Sequence, residues 1–271
     1  MKIVNHLLFD DNGNQVAFKP TPNKKGPYTP QYLVIHYTAA TSASGAINWL
    51  TDPTAKASAH LVIARDGKVT QLAPFNIVTW HAGKSTWKGL VGLNQFSIGI
   101  EIVNAGRLVK KDAKWICPVD GAEVPADQVV VAAHKNDGIS AGWQTYTPQQ
   151  IDVTQKIADL LVKTYALKDI IGHDDISPIR KSDPGPAFPM TSFRAHAFGT
   201  SSVNALKTSA TVNIRAGAGA SFATLAKPLP QGTVVNGLAT NGDWTNVKIP
   251  GLYDGKTDLQ GWISTKFLVK G

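Results

Sequence analysis

Two histidines and an aspartate have the side-chain types and spacing that a hydrolytic metal site needs. His36 ends a short apolar run, and His173 precedes Asp183 by ten residues at the start of a proline-rich loop. Two imidazoles and one carboxylate leave a tetrahedral Zn²⁺ with one open position for water. Zinc brings the pKa of such a water close to neutrality, which makes it a nucleophile. The sequence therefore predicts a Zn²⁺ site with hydrolytic chemistry.

A base and an electrophile complete this chemistry. Glu101 lies within the alternating apolar run of residues 97–103, and we predict that it is the general base. Lys181 stands two residues before Asp183, and its ammonium group would stabilise negative charge that develops on a substrate oxygen.

Spacing alone leaves other interpretations of these residues open. Glu101 could face solvent from an edge strand, and Asp183 could serve only to turn the chain before Pro184. Asp174 or Asp175 could replace Asp183 as the third ligand. A single histidine is also more often a surface or hydrogen-bonded residue than a ligand.

The elements that must position these residues alternate between strand and helix. Asp66-Gly67 between two apolar runs predicts a tight hairpin, and Thr147, Pro148 and Gln150 predict a capped helix start. The predicted strands are residues 32–36, 60–65, 68–72, 97–103 and 169–173, and the predicted helices are 42–50 and 147–166. This pattern predicts an α/β domain, a mixed β-sheet flanked by helices.

The chain changes character near residue 200. Residues 198–204 form a predicted linker, and no helical periodicity follows them. The predicted short strands are residues 211–215, 232–238, 244–249 and 261–267. They indicate a small all-β barrel. We therefore predict two domains, residues 1–198 and 199–271.

Composition limits the classes of protein that this chain can represent. With 271 residues, 43% hydrophobic and 17% charged, it has a globular composition. The longest apolar runs are too short for a membrane span. The single cysteine, Cys117, excludes an intramolecular disulfide and a multi-cysteine metal cluster. The net charge of +8 suggests an acidic partner, but no dense basic run with interleaved aromatics indicates nucleic acid.

Five segments, in this order along the chain, carry a resemblance to a known family. They are Leu-Val-Ile-His-Tyr-Thr (33–38), Ser-Ala-His (58–60), Trp-His-Ala-Gly (80–83), Ser-Ile-Gly-Ile-Glu-Ile (97–102) and Gly-His-Asp-Asp-Ile-Ser-Pro-Ile-Arg-Lys-Ser-Asp-Pro-Gly-Pro-Ala-Phe (172–188). Together they resemble the zinc-dependent N-acetylmuramoyl-L-alanine amidases of the AmpD type, which share their fold with peptidoglycan recognition proteins. The resemblance covers roughly residues 30–190.

The resemblance implies a role for each candidate residue. His36, His173 and Asp183 would be the zinc ligands, Glu101 the general base, and Lys181 the electrophilic helper on the scissile carbonyl. The implied reaction hydrolyses the amide between the lactyl group of N-acetylmuramic acid and L-alanine of the stem peptide.

The resemblance also bears on several other residues. Trp80 and His81 resemble a motif that lines the substrate groove, so we expect them to bind substrate. Some relatives use cysteine as the third ligand, but Cys117 lies elsewhere and we expect no catalytic role for it. His60 is expected to be structural. His134 is expected on the surface, in a segment (106–142) that is either an inserted loop or an elaborated surface.

The C-terminal region resembles a bacterial SH3 domain. The matching segments are Thr-Val-Asn-Ile-Arg-Ala-Gly (211–217), Leu-Pro-Gln-Gly-Thr (229–233), Gly-Asp-Trp-Thr-Asn-Val (242–247) and Gly-Trp-Ile-Ser-Thr-Lys-Phe (261–267). Such domains commonly bind cell-wall material. The expected protein is a two-domain cell-wall hydrolase whose partners are the glycan strands and stem peptides of peptidoglycan, with its oligomeric state left open.

The N-terminal residues lack the pattern of a signal peptide. We therefore expect synthesis in the cytoplasm and action in the periplasm or cell wall after release or dedicated export, as for a phage endolysin, an exported effector or an autolysin. A recycling enzyme would instead remain in the cytoplasm.

Three competing functions are a recognition protein that binds peptidoglycan without cutting it, a zinc peptidase acting within the stem peptide, and a wall-anchoring protein.

Overall fold

The computed structural model describes residues 1–199, 205–257 and 259–270 of the chain. Two units are distinguished by their internal contacts, Met1–Ala187 and Phe188–Gly271. Most of the predicted linker, residues 200–204, lies outside the described residues. The predicted domain boundary after residue 198 stays a prediction. Among the described residues, no helix combines the length and the apolar character that crossing a membrane would need.

The N-terminal unit contains short strands and three α-helices. The strands are β1 (Lys2–Val4), β2 (Leu7–Phe9), β3 (Ala17–Phe18), β4 (Lys24–Pro27), β5 (Tyr32–Tyr37), β6 (Leu61–Ile63), β7 (Val69–Gln71), β8 (Ile77–Thr79), β9 (Thr86–Trp87), β10 (Leu90–Val91), β11 (Ser97–Ile102), β12 (Arg107–Lys111), β13 (Lys114–Ile116), β14 (Glu123–Val124), β15 (Val129–Ala133), β16 (Ser140–Gln144) and β17 (Asp169–Gly172). The helices are α1 (Ala43–Thr51), α2 (Pro148–Tyr165) and α3 (His173–Ile176).

A six-stranded mixed sheet in the order β17-β5-β11-β6-β7-β3 is the centre of this unit. Strand β5 pairs in parallel with both β11 and β17, and β6 pairs antiparallel with β7. Leu33, Val34 and Ile35 are fully buried, as a strand covered on both faces requires. The predicted class, a mixed sheet with helices, is confirmed.

Local sequence explains where the main elements begin and end. Thr147 caps α2 through a reciprocal capping box with Gln150, as predicted. Ser42 caps α1 by accepting a hydrogen bond from the amide of Gly45. The predicted strand of residues 169–173 ends one residue early, because an Asp175 carboxylate oxygen accepts from the Gly172 amide (2.8 Å) and His173 starts α3.

The segment of residues 106–142 contributes to a second, five-stranded antiparallel sheet in the order β14-β13-β12-β16-β15. Trp143 and Cys117 are buried among its side chains. The surface position predicted for His134 is wrong. Its ring is only 3% exposed, because it stacks on Trp143 and its Nε2 lies 3.2 Å from an Asp174 oxygen.

The C-terminal unit starts with a helix, α4 (Met190–Ala197), and the strands described after it are short. These are β18 (Ala205–Thr208), β19 (Val234–Asn241), β20 (Trp244–Lys248), β21 (Leu252–Tyr253), β22 (Lys256–Thr257), β23 (Gln260–Ser264) and β24 (Leu268–Lys270). Five of them form an antiparallel sheet in the order β23-β20-β19-β18-β24 around a core that includes Ile214, Val247 and Ile263. The β-rich character of this region is confirmed. The predicted strand at 211–215 forms only isolated bridges, among them Val212 with Leu229.

Candidate active site

Parallel strand pairing brings the candidate residues to one edge of the central sheet. The register of β5 and β11 places Glu101 beside His36, and Gly172 at the end of β17 pairs with Ile35. His173, the next residue, therefore arrives beside His36. The loop that follows returns to this edge, because the backbone amide of Asp174 donates to the carbonyl of Asp183 (2.8 Å).

Three donor atoms converge at this edge. The Nδ1 atoms of His36 and His173 lie 2.9 Å apart, and each lies 2.9 Å from the same Asp183 oxygen, Oδ2. All three residues are buried, with exposed fractions of 1%, 3% and 6%. Two imidazole nitrogens and one carboxylate oxygen within reach of one point are a donor set that a single Zn²⁺ accepts. The residues therefore fit the metal that their types predict.

The neighbouring aspartates are engaged elsewhere. The two Asp174 oxygens lie 2.8 Å from Lys135 Nζ and 3.2 Å from His134 Nε2. Asp175 accepts from Lys135 (2.6 Å) and from the Gly172 amide. Of the three aspartates that compete for the third ligand position, the structure places Asp183 against the two histidines.

Burial and mutual contact set the charges of His36 and Asp183. Burial, followed by the charge of His173, lowers the pKa of His36 to about 4. Burial alone would raise the pKa of Asp183, but its close contacts with His173 and His36 outweigh burial and hold that pKa below its ordinary value. Near neutral pH the site thus favours a neutral imidazole at His36 and an ionised carboxylate at Asp183, the forms that bind metals.

Glu101 faces the same cavity from the interior of the sheet. Strand β11 lies between β5 and β6, so the alternative of an edge-strand glutamate facing solvent is wrong. Its Oε2 is buried and has no hydrogen-bond partner among the described residues. Burial, and then the charge of Asp183, raises its pKa well above the usual range, while Lys181 opposes the shift. A cation held by the three donors would also oppose it, since an opposite charge favours the ionised form.

Lys181 and Trp80 border the cavity, as their predicted roles require. The side chains and backbone that line it include Tyr37, Trp49, Ser58, Trp80, His81, Glu101, Arg180, Lys181, Ser182 and Asp183. Trp80 is half-buried, and its indole Nε1 is without a hydrogen-bond partner in the described part of the chain. The catalytic role of Lys181 and the substrate-binding role of Trp80 stay predictions.

The two other histidines of the matched segments bond within the protein. His81 Nδ1 lies 3.0 Å from His36 Nε2, and its Nε2 lies 3.0 Å from the Ser97 carbonyl. The substrate-binding role of His81 stays a prediction, although neither ring nitrogen is directed at the cavity. His60 is fully buried, accepts from the Gly99 amide and donates to the Ile77 carbonyl.

Trp49 and Arg180 border the cavity but were missed in the sequence. Trp49 remains 59% exposed on α1, where Ala46 and Leu50 of the same helix face are buried. The spacing of Trp49 from Ala46 and Leu50 along the helix could have indicated that Trp49 lies near the cavity. Arg180 donates from Nη2 to the carbonyls of Ala82 (2.9 Å) and Lys84 (3.0 Å). In the sequence, the position of Arg180 between His173 and Asp183 could have indicated that it lies near the site.

The part of the chain that contains these residues matches a known protein family. A family model described as N-acetylmuramoyl-L-alanine amidase matches residues 26–186. The N-acetylmuramoyl-L-alanine amidase AmiD of Escherichia coli (strain K12) is 32% identical over 166 residues, which are 58% of this chain and 49% of that protein. The 1,6-anhydro-N-acetylmuramyl-L-alanine amidase AmpD of the same strain is 35% identical over 139 residues, 51% of this chain and 57% of that protein.

A solved structure resembles the chain in fold. The crystal structure of a Se-Met AmpD derivative superposes with a TM-score of 0.52 at 25% identity, covering 72% of this chain and 99% of that one. The present chain spans about half the length of the curated relatives it matches.

Removing one donor tests the metal site. We expect His36→Ala to lose stoichiometric zinc, because two remaining donors cannot hold the ion through dialysis. Zinc per chain, measured by atomic absorption, should fall from about one ion to near zero. His60→Gln, at an equally buried histidine outside the donor set, should keep its zinc. Stoichiometric zinc in His36→Ala would show that His36 is not a ligand.

Proposed function

Because this chain belongs to the N-acetylmuramoyl-L-alanine amidase family, we propose that it hydrolyses the amide bond between the lactyl group of N-acetylmuramic acid and L-alanine in peptidoglycan, with zinc as its cofactor. The observation that carries the proposal is the position of the candidate residues. All five lie inside the family match at 26–186, and all five border one cavity or its buried donor cluster. The residues are His36, Glu101, His173, Lys181 and Asp183.

The proposed metal ligands are His36 Nδ1, His173 Nδ1 and the carboxylate of Asp183. A zinc ion bound there supplies Lewis-acid chemistry, polarising the scissile carbonyl and acidifying water. The role of the three side chains is to hold that position with two imidazole nitrogens and one carboxylate. Their burial keeps bulk water away and strengthens their electrostatic interaction with a cation.

Glu101 is the proposed proton carrier. Its buried, unpartnered Oε2 is free to accept a proton from the attacking water as the water oxygen bonds to the carbonyl carbon. The carboxyl group then returns this proton to the amide nitrogen as the carbon–nitrogen bond breaks. The products are a lactyl carboxylate and a free L-alanine amino group. Glu101 is therefore ionised when the water attacks and protonated when the amide nitrogen leaves.

Lys181 is the proposed electrophilic helper. It borders the cavity, and its positive charge acts on both Glu101 and His36. An ammonium group at this position would stabilise negative charge on the former carbonyl oxygen during attack. The aromatic rings of Trp49 and Trp80 border the same cavity and offer apolar contact surface to a sugar or peptide.

The C-terminal unit is proposed to hold the enzyme on its polymer. We propose that residues 1–198 form the amidase domain and that residues 199–271 form an SH3-like domain that binds the cell wall. A tethered second site raises the effective concentration of the catalytic domain at the polymer. The net charge of +8 would attract the protein to an anionic envelope. The proposed place of action is therefore the periplasm or cell wall.

Substitution of the base separates catalysis from metal binding. Glu101→Gln keeps the shape of the side chain but cannot take up the proton, so kcat should fall by about 10²–10⁴-fold. Zinc content should stay at the wild-type value. The matched control is Glu123→Gln, an exposed glutamate of β14 that pairs with Lys114, and it should retain full activity. A Glu101→Gln rate close to that of the wild type would remove Glu101 from the mechanism.

Digestion of purified peptidoglycan tests the reaction itself. Mass spectrometry should detect free stem peptides with an N-terminal alanine beside uncut glycan strands. A zinc chelator should abolish these products, and added Zn²⁺ should restore them. Peptidoglycan that is bound but stays intact would favour a recognition protein instead. Fragments cut within the stem peptide would indicate a peptidase.

A further inference from the structure

The segment of residues 80–83 contacts both histidines of the donor cluster on the side away from Asp183. His36 Nε2 lies 3.0 Å from His81 Nδ1. His173 Nε2 lies 3.1 Å from the carbonyl oxygen of Ala82. Two consecutive residues, His81 and Ala82, thus contact the Nε2 atoms of His36 and His173. These contacts decide which nitrogen of each ring carries its hydrogen.

The hydrogen-bond chain at His36 begins at a backbone carbonyl. The Ser97 carbonyl can only accept, so His81 Nε2 must carry the hydrogen that bridges their 3.0 Å separation. The Ser97 hydroxyl, 3.4 Å from the same nitrogen, already donates to the Leu93 carbonyl (2.6 Å) and can likewise only accept from His81. In a neutral ring His81 Nδ1 is then an acceptor, and His36 Nε2 must be the donor. The lone pair of His36 is left on Nδ1, which faces Asp183.

The tautomer of His173 is determined in a single step. The Ala82 carbonyl is an acceptor, so His173 Nε2 donates to it and the Nδ1 lone pair faces the donor cluster. The Arg180 guanidinium donates to the same carbonyl at 2.9 Å. Because Arg180 Nη2 and His173 Nε2 both donate to the Ala82 carbonyl oxygen, the two nitrogens lie only 3.4 Å apart.

Two further contacts hold the segment in place. The side-chain oxygen of Asn94 accepts from the backbone amides of His81 (3.0 Å) and Ala82 (2.7 Å). The His81 ring packs directly on Gly99 of β11, where any Cβ would overlap the imidazole. His81 itself is only 7% exposed. Its ring is therefore confined between His36 and Ser97.

We propose that His81 is a positioning residue that fixes the Nδ1 lone pair of His36 toward the metal position, while the adjacent Ala82 carbonyl does the same for His173. Asn94 supports both contacts by anchoring the segment. The inference rests on the proposed function, because it concerns ligands for the proposed zinc ion. A neutral imidazole can bind a metal only through its unprotonated nitrogen, so a ring held in the wrong tautomer must first rearrange.

Nitrogen-15 NMR of the metal-free full-length chain tests the tautomers without any activity assay. In the wild type, Nε2 should be protonated on His36, His173 and His81, and Nδ1 of His81 should be unprotonated. An unprotonated Nε2 on His36, or a protonated Nδ1 on His81, would overturn the proposal, whatever the variants do.

Zinc affinity of matched variants gives the second readout. His81→Ala removes the acceptor, so the zinc dissociation constant, measured by competition with a chromophoric chelator, should rise about 10–100-fold. His81→Asn places a carboxamide oxygen near the position of Nδ1 and should recover most of this loss. His60→Gln, at a fully buried histidine that does not contact His36, should leave the affinity unchanged.

The outcomes separate this inference from the proposed function. Wild-type affinity in His81→Ala, or an equal loss in His60→Gln, would overturn the positioning role while leaving the zinc enzyme intact. A wild-type chain that binds no zinc would contradict the proposed function. The NMR spectrum of the metal-free protein would still show which ring nitrogens of His36, His81 and His173 are protonated, and so would still test the positioning role. If His81→Ala does not fold, His81→Asn and the wild-type spectrum decide the question.

Discussion

The parallel pairing of β5 with β11 and β17 is the constraint on which the rest of the site depends. Parallel strands end at the same edge of a sheet, so pairing fixes which residues meet there. The register sets Glu101 opposite His36 and delivers His173 from the end of β17. A shift of one residue in β11 would turn Glu101 to the other face of the sheet. Backbone hydrogen bonds of the sheet therefore place His36, Glu101 and His173, while the loop that follows α3 brings Lys181 and Asp183 to them.

Burial of several ionisable groups at this edge is costly unless each has a partner. Asp183 is compensated by two histidines, and Asp174 by Lys135 and His134. Glu101 differs from them, because its buried Oε2 has neither a hydrogen-bond partner nor an ion-pair partner among the described residues. A buried carboxylate without a partner is unusual in a structural role and is common where a proton must be moved. The same low-polarity surroundings that raise its pKa would strengthen its interaction with charge that develops during reaction.

Much of this arrangement could be predicted from local sequence, and the remainder depends on contacts between distant residues. The capping box at Thr147 and the donor types of His36, His173 and Asp183 are local or compositional features. The second sheet could not be predicted, because its strands pair across a segment whose alternation is weak. The burial of His134 depends on Asp174, forty residues away in sequence. The contact between His81 and His36 likewise appears only once the chain is folded.

Anomalous X-ray scattering at the zinc absorption edge, from crystals of the zinc-loaded full-length chain, tests the central claim most directly. We expect one strong peak, bonded to the Nδ1 atoms of His36 and His173 and to the carboxylate of Asp183, with Glu101 beside it and not bound. Coordination by Asp174 or Asp175 in place of Asp183, bonding through Nε2, or no peak at this edge of the sheet would contradict the proposed zinc site.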